Sequence, residues 1–190
     1  SLDQGTKITD VIDTVAKVSA TGAATLVMTY WNPIERFGVD KFVTAFKQAG
    51  GAGVITPDLT PEEAGHWINT TNTNDVDRVF LVALSSTDAR LQRVADATSG
   101  FIYAGAVMGV TGARATLGDA VQDVVARVRK VSDLPVAVGL GVSTPEQAHA
   151  IAQYADGVIV GSAFVNAINE GGAAAARELA AQLRAGVSRS

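Results

Sequence analysis

The stretch LPVAVGLGVSTPEQAHAIAQYADGVIVGS, Leu134 to Ser162, reads as an apolar strand (Pro135 to Val138) that runs into Gly139-Leu140-Gly141. A short helix follows, and then a second apolar strand (Val158 to Val160) runs into Gly161-Ser162. Two successive strands that each end in glycine suit an anion. Without a Cβ the backbone N–H groups approach phosphate oxygens closely, and the next helix N-terminus adds partial positive charge. In parallel α/β barrels the common phosphate site is built from the loops after the last two strands. A tight turn alone would explain one such glycine; two in consecutive units, each followed by a serine and a helix start, predict a phosphorylated small-molecule substrate.

Working outward, the same alternation extends back to the first residues. Ile8, Val11, Ile12, Val15 and Val18 fall at helical spacing, Thr21-Gly22 breaks the pattern, and Ala24 to Met28 reads as a buried strand. Tyr30-Trp31-Asn32-Pro33 reads as the exit from that strand, and Val39, Phe42, Val43 and Phe46 form a helix face ending at Gly50-Gly51. Gly53 to Thr56 is the next strand. It runs into Pro57-Asp58-Leu59, and Thr60-Pro61-Glu62-Glu63 has capping-box spacing with proline at the first helical position, which predicts a helix start there. A strand at Val79 to Ala83, a helix with Leu91 and Val94 up to Gly100, a strand at Phe101 to Ala104 and a helix with Leu117, Val121, Val124, Val125 and Val128 continue the series. After the glycine-turn units an alanine-rich helix runs from Ala173 to Leu183.

Six strands alternating with helices, without a linker or a second composition regime, predict one parallel α/β domain over residues 1–190. The short strands, and the lack of a glycine-rich fingerprint with a downstream acidic residue after the first one, favour a barrel over an open nucleotide-binding sheet. An eight-stranded barrel takes about 250 residues, so two strands are expected to be missing from these 190 residues. Open edges near Leu26 and Val160 would then invite unwanted pairing.

Composition narrows the chemistry. The chain is 47 % hydrophobic and 18 % charged with a formal net charge of -4, and its arginines and lysines are scattered, which argues against nucleic acid or an anionic membrane as partner. No apolar run approaches the roughly 20 residues of a membrane span, and the N-terminus lacks signal-peptide regions, so a cytoplasmic location is expected. Zero cysteines and two histidines argue against disulfides, thiolate chemistry and a multi-histidine metal site.

Functional side chains of a parallel barrel sit at the C-terminal ends of its strands. The polar residues so placed are Tyr30, Asn32, Asp58, Ser85, Ser86, Tyr103, Thr111, Ser143 and Ser162. Asp58 is the only carboxylate among them, so no acid/base pair can be assembled from these strand ends. All five lysines fall in predicted helices or at their edges, which argues against a Schiff base. His66 and His149 read as helix residues in packing or solvated roles, and Asp156, before the last strand, reads as a turn or cap residue. Gly109-Val110-Thr111-Gly112 sits in a long connection and suggests a lid whose threonine donates a hydrogen bond on closure.

Taken in order, Met28-Thr29-Tyr30-Trp31-Asn32-Pro33, Pro57-Asp58-Leu59-Thr60-Pro61-Glu62-Glu63, Gly109-Val110-Thr111-Gly112-Ala113-Arg114, Gly139-Leu140-Gly141-Val142-Ser143-Thr144-Pro145-Glu146-Gln147 and Ala155-Asp156-Gly157-Val158-Ile159-Val160-Gly161-Ser162-Ala163 closely resemble the tryptophan synthase alpha subunit. The resemblance runs from Ile8 to Val165. It implies a (β/α)8 TIM-barrel fold, of which the last six βα units are present here. It also implies retro-aldol cleavage of indole-3-glycerol phosphate to indole and glyceraldehyde 3-phosphate, with no cofactor in this chain. The implied partner is the beta subunit, which carries pyridoxal phosphate, in an α2β2 assembly. The implied phosphate contacts are Gly112, Gly141, Gly161 and Ser162; Tyr103 lies near the indole ring and Thr111 is the lid threonine. The family's acid/base glutamate and aspartate would lie upstream of residue 1, so this chain alone is expected to be inactive. Leu84 and Ala106 depart from the family's usual proline and serine. The alternatives are a non-catalytic phosphate-binding or beta-activating module and a related phosphate-binding isomerase barrel; the motif from Gly109 to Arg114 argues against the latter.

Overall fold

The computed structural model describes residues 5–105, 114–139 and 141–188. The chain forms two compact units, Ser1–Leu81 with Asp96–Gly100, and Val82–Ala95 with Phe101–Ser190.

In the first unit, α1 (Ile8–Ser19), α2 (Trp31–Phe37), α3 (Val39–Gln48) and α4 (Gly65–Thr73) accompany a parallel sheet of β1 (Leu26–Met28), β2 (Gly53–Ile55) and β3 (Asp77–Val79) in the order β1-β2-β3. Leu26 pairs with Gly53, and Gly53 with Asp77. The helical spacing of Val39, Phe42, Val43 and Phe46 does what periodicity requires, and all four are buried in the core. Phe42 stacks on Phe46 at 5.7 Å between ring centroids, and Trp67 of α4 closes the cluster at 6.3 Å from Phe42. Fully burying one such aromatic side chain contributes roughly 1.5–3 kcal/mol.

Three sequence expectations change here. Trp31-Asn32-Pro33 is the first turn of α2 rather than a loop. Proline is tolerated there because first-turn N–H groups have no intrahelical acceptor. The cap comes from Asp58, whose two carboxylate oxygens accept the Trp31 N–H at 2.9 and 3.0 Å. Thr60-Pro61-Glu62-Glu63 forms an isolated turn: the Thr60 hydroxyl donates to the Glu63 carboxylate at 2.9 Å, so neither side chain caps a backbone N–H, and α4 begins only at Gly65. The expected strand at Val79 to Ala83 divides at Phe80 into β3 and β4 (Leu81–Val82).

A buried arginine ties this unit together. Arg78 on β3 is 7 % exposed. Its guanidinium donates to the carbonyl of Ala97 at 2.6 Å, to Asn72 Oδ1 at 2.6 Å and to the Thr71 hydroxyl at 3.4 Å. Thr56, just past β2, is 1 % exposed, and its hydroxyl has no hydrogen-bond partner among the described residues. A buried hydroxyl without a partner costs stability, and a methyl of the same shape does not. Thr56→Val is therefore expected to raise the unfolding free energy by about 1 kcal/mol; a lower urea midpoint for the variant would contradict this.

The second unit has a sheet in the order β4-β5-β6-β7, with β5 (Ile102–Gly105), β6 (Val136–Gly139) and β7 (Gly157–Val158). Its helices are α5 (Asp88–Ala97, whose last residues belong to the first unit), α6 (Arg114–Val128), α7 (Pro145–Ala152) and α8 (Ser162–Val187). Val121, Val124, Val125 and Val128 are all buried, as their spacing predicts. The carboxylate of Asp156 accepts the Val136 N–H at 2.9 Å and pairs with Arg129 at 3.1 Å, a cap at the start of β6. The last helix begins about ten residues earlier than its alanine-rich run suggests, and Gly172 (φ 65°, ψ -155°) breaks it in two. That conformation is open only to glycine. No helix among the described residues is long and apolar enough to cross a membrane, and they contain no group of three His, Cys, Asp or Glu able to hold a metal ion.

Candidate functional site

The predicted site residues within the described part of the chain, Tyr103, Gly141, Gly161 and Ser162, all lie in the second unit. Thr111 and Gly112 lie outside the described residues. Strand register brings the others to one end of one sheet. Tyr103 pairs with Ala137 and Gly105 with Gly139; Val138 pairs with Val158, and Ile159 donates to the Val138 carbonyl at 2.8 Å. The connections after β6 and β7 therefore leave side by side, as parallel strands dictate.

Alternation along β5 and β6 separates the two faces. Ile102, Ala104, Val136 and Val138 are buried, while Tyr103, Ala137 and Gly139 occupy the opposite, half-buried face. The Tyr103 ring lies across Gly139. A Cβ at Gly139 would overlap the Tyr103 hydroxyl and fall 2.6 Å from Cε2 and 2.8 Å from Cζ. Burial pushes the Tyr103 phenol up from its ordinary value, so it stays protonated through neutral pH.

The three glycines of the two turns thus have different tasks. Gly139 makes room for a ring. Gly141 has φ +68°, which favours glycine, and Gly161 has an ordinary φ of -119°. Both are exposed, and a Cβ on either meets no atom of the described residues within 4 Å. Gly161 caps α8, accepting the N–H groups of Phe164 at 3.0 Å and Val165 at 3.3 Å. The N–H groups of Gly141, Ser162 and Ala163 have no protein acceptor among the described residues. Unspent backbone donors beside a helix N-terminus are the chemistry an oxyanion takes.

The connection from Gly141 into α7 carries a feature that sequence reading passed over. Gln147 Oε1 accepts the Ser143 N–H at 2.8 Å, the Thr144 N–H at 3.3 Å and the Ser143 hydroxyl at 3.3 Å, while the Gln147 N–H donates to Thr144 Oγ1 at 3.3 Å. This is a capping box with Pro145 at the first helical position. The spacing from Thr144 to Gln147 was the available signal. Beside it, the exposed Glu146 carboxyl is held below its usual range by its own backbone N–H and by the Thr144 hydroxyl.

Several of the other candidates are occupied structurally. Asp58 caps α2, Ser85 is exposed, and the buried Ser86 hydroxyl accepts the Ala83 N–H at 3.0 Å while its carbonyl accepts from Arg127 at 2.7 Å. His66 contacts Asp40 at 3.3 Å on the surface. His149 meets the Gly186 carbonyl at 3.0 Å, helping to join α7 to α8.

Residues 1–188 match the family described as tryptophan synthase alpha chain. The chain belongs to the tryptophan synthase alpha chain family. The tryptophan synthase alpha chain of Mycobacterium avium is 51 % identical over 187 residues, covering 98 % of this chain and 69 % of that protein. The one from Acidothermus cellulolyticus is 50 % identical over 192 residues, covering all of this chain and 72 % of the relative. Among solved structures, Mycobacterium tuberculosis tryptophan synthase superposes with a TM-score of 0.93 at 49 % identity, over 100 % of this chain and 72 % of that one. The a2b2 tryptophan synthase complex of Pyrococcus furiosus gives 0.85 at 32 % identity, over 96 % and 75 %. The parallel α/β fold is of the TIM-barrel type that these family members share.

Proposed function

We propose that the turn at Gly141 and the start of α8 at Gly161 and Ser162 hold the phosphate of indole-3-glycerol phosphate, with Tyr103 against the indole ring. Thr111 and Gly112 complete the site in this reading, as lid threonine and further phosphate contact. The family is that of the lyase of tryptophan biosynthesis that cleaves this compound to indole and glyceraldehyde 3-phosphate. It works without a cofactor of its own and with the pyridoxal-phosphate-bearing beta subunit as partner. The Pyrococcus furiosus relative is described by the mutual activation of its a2b2 complex, and we place this chain in an assembly of the same kind, in the cytoplasm and within a single barrel domain.

The chemistry divides into holding and proton transfer. In the retro-aldol step the bond between indole C3 and the glycerol carbon breaks as C3 gains a proton and the neighbouring hydroxyl loses one. Fixing the phosphate at one end and the ring at the other brings that bond into a single orientation, which lowers the entropy cost of reaching the transition state. The described residues do the holding. Asp58, the carboxylate at a strand end, is spent on the Trp31 N–H and takes no part in proton transfer.

The observation that carries this reading is the pair of exposed glycines, in the connections after two paired strands, whose missing Cβ atoms would meet no atom of the described residues. Gly161→Ala is the clean probe, because its φ of -119° suits alanine. The variant should keep the melting temperature of the parent while its affinity for glycerol 3-phosphate, read by calorimetry, falls about tenfold. Equal affinity would remove the basis for the assignment.

A further inference from the structure

We infer that Gln147 is a positioning residue for the phosphate turn, and that its neutrality, rather than its capping ability, is what the site requires. The inference rests on the phosphate reading above.

The turn between Gly141 and α7 offers four backbone donors, from Gly141, Val142, Ser143 and Thr144. Two of them, Ser143 and Thr144, point back to the single oxygen Oε1 of Gln147, which also takes the Ser143 hydroxyl. Val142 is 3 % exposed and anchors the turn from beneath. The Gly141 and Val142 N–H groups keep no protein acceptor among the described residues. Gln147 therefore decides which donors of the turn remain for an oxyanion, and it fixes the direction in which the exposed Gly141 presents its own.

A capping box accepts glutamate as readily as glutamine at this position. A carboxylate would take the same three hydrogen bonds, and take them more strongly. Helix stability alone would even favour it, since negative charge is stabilising at a helix N-terminus. An anion held two residues along the same turn reverses that preference, because the exposed Glu146 carboxylate beside Thr144 already supplies one negative charge there and Gln147→Glu would add a second. A fixed negative charge beside the phosphate repels it across a short, partly shielded distance.

Gln147→Glu and Gln147→Ala test this, with glycerol 3-phosphate as the probe, calorimetric affinity as one readout and melting temperature as the other. The glutamate variant should melt no lower than the parent and bind about tenfold more weakly at low ionic strength, with the deficit shrinking as salt rises. The alanine variant should bind several-fold more weakly whatever the salt, because the turn loses its common acceptor. If Gln147→Ala does not fold, the glutamate variant decides alone, since it keeps every bond. Parent-like affinity in both folded variants, with Gly161→Ala still weakened, overturns this inference and leaves the phosphate reading standing. Weaker binding that tracks a lower melting temperature in Gln147→Glu makes the residue structural only and overturns it too. No binding by the parent, or no effect of Gly161→Ala, removes the phosphate reading and this inference with it.

Discussion

Gly139→Val should weaken the seating of the indole ring while sparing much of the proposed phosphate contact. The backbone at Gly139 has no unusual φ, so the substitution introduces no backbone strain; its whole effect is a collision with Tyr103, the added Cβ overlapping the hydroxyl and falling 2.6 Å from Cε2 and 2.8 Å from Cζ. Tyr103 cannot retreat into the sheet, because the opposite face of β5 and β6 is filled by Ile102, Ala104, Val136 and Val138. It must swing out over the face proposed above to take the indole ring. Overpacking of this kind costs about 1–3 kcal/mol of stability. Affinity for indole-3-glycerol phosphate should fall by at least about tenfold, the loss worth about 1.4 kcal/mol, while affinity for glycerol 3-phosphate falls less, since Gly141 and Gly161 are untouched. Equal losses for the two ligands would mean that the Tyr103 ring does not define the indole side of the site.

Arg78→Met should produce the largest loss of stability without touching any proposed ligand contact. Burial pushes the guanidinium below its ordinary value, with Asp77 acting in the opposite sense, yet arginine keeps its charge throughout the working range. The residue is retained in the interior because its donors satisfy the Ala97 carbonyl at the end of α5 and Asn72 and Thr71 in α4. Methionine fills much of the same volume but takes the guanidinium away from the buried Ala97 carbonyl, whereas Asn72 is exposed and the Thr71 hydroxyl keeps its bond to the Trp67 carbonyl. The expected cost is about 1.5–3 kcal/mol, the scale of hydrogen bonds to a charged group. It should appear as a fall in urea midpoint with little change in slope; a loss below about 0.5 kcal/mol, the range of ordinary surface substitutions, would show that water or a neighbour replaces the guanidinium.

The range of each interaction decides whether the sequence disclosed it or hid it. The helix faces of α3 and α6 and the two glycine turns were legible because their signals are local: a period of 3.6, or a glycine directly after an apolar run. The start of α2 was hidden because its cap, Asp58, is 27 residues away, and Asn-Pro by itself reads as a loop. Thr60 and Glu63 misled for the converse reason. They have the right spacing, but they bond to each other rather than to the backbone. The two halves of α8 escaped because Gly171-Gly172 breaks the run between them, and a kink looks in sequence like a boundary. Gly139 reads in sequence as one glycine turn with Gly141, because nothing local distinguishes room for a ring on the neighbouring strand from room for an oxyanion.

The break at Gly172 has a kinetic side. Residues 162–171 of α8 contribute no buried side chain, and Val165 and Ile168 are 57 % and 54 % exposed, whereas the segment beyond Gly172 is anchored by Leu183 and by Gly186 against Pro145. The first segment can therefore unwind locally while the anchored one stays folded, at a free energy far below that of global unfolding. Its amide protons should exchange with solvent early, those around Leu183 late. Each opening takes the Ser162 N–H away from the site, so a bound phosphate monoester should slow exchange in residues 162–171 selectively, and by linkage the affinity is capped by the fraction of time that this single helical stretch is wound.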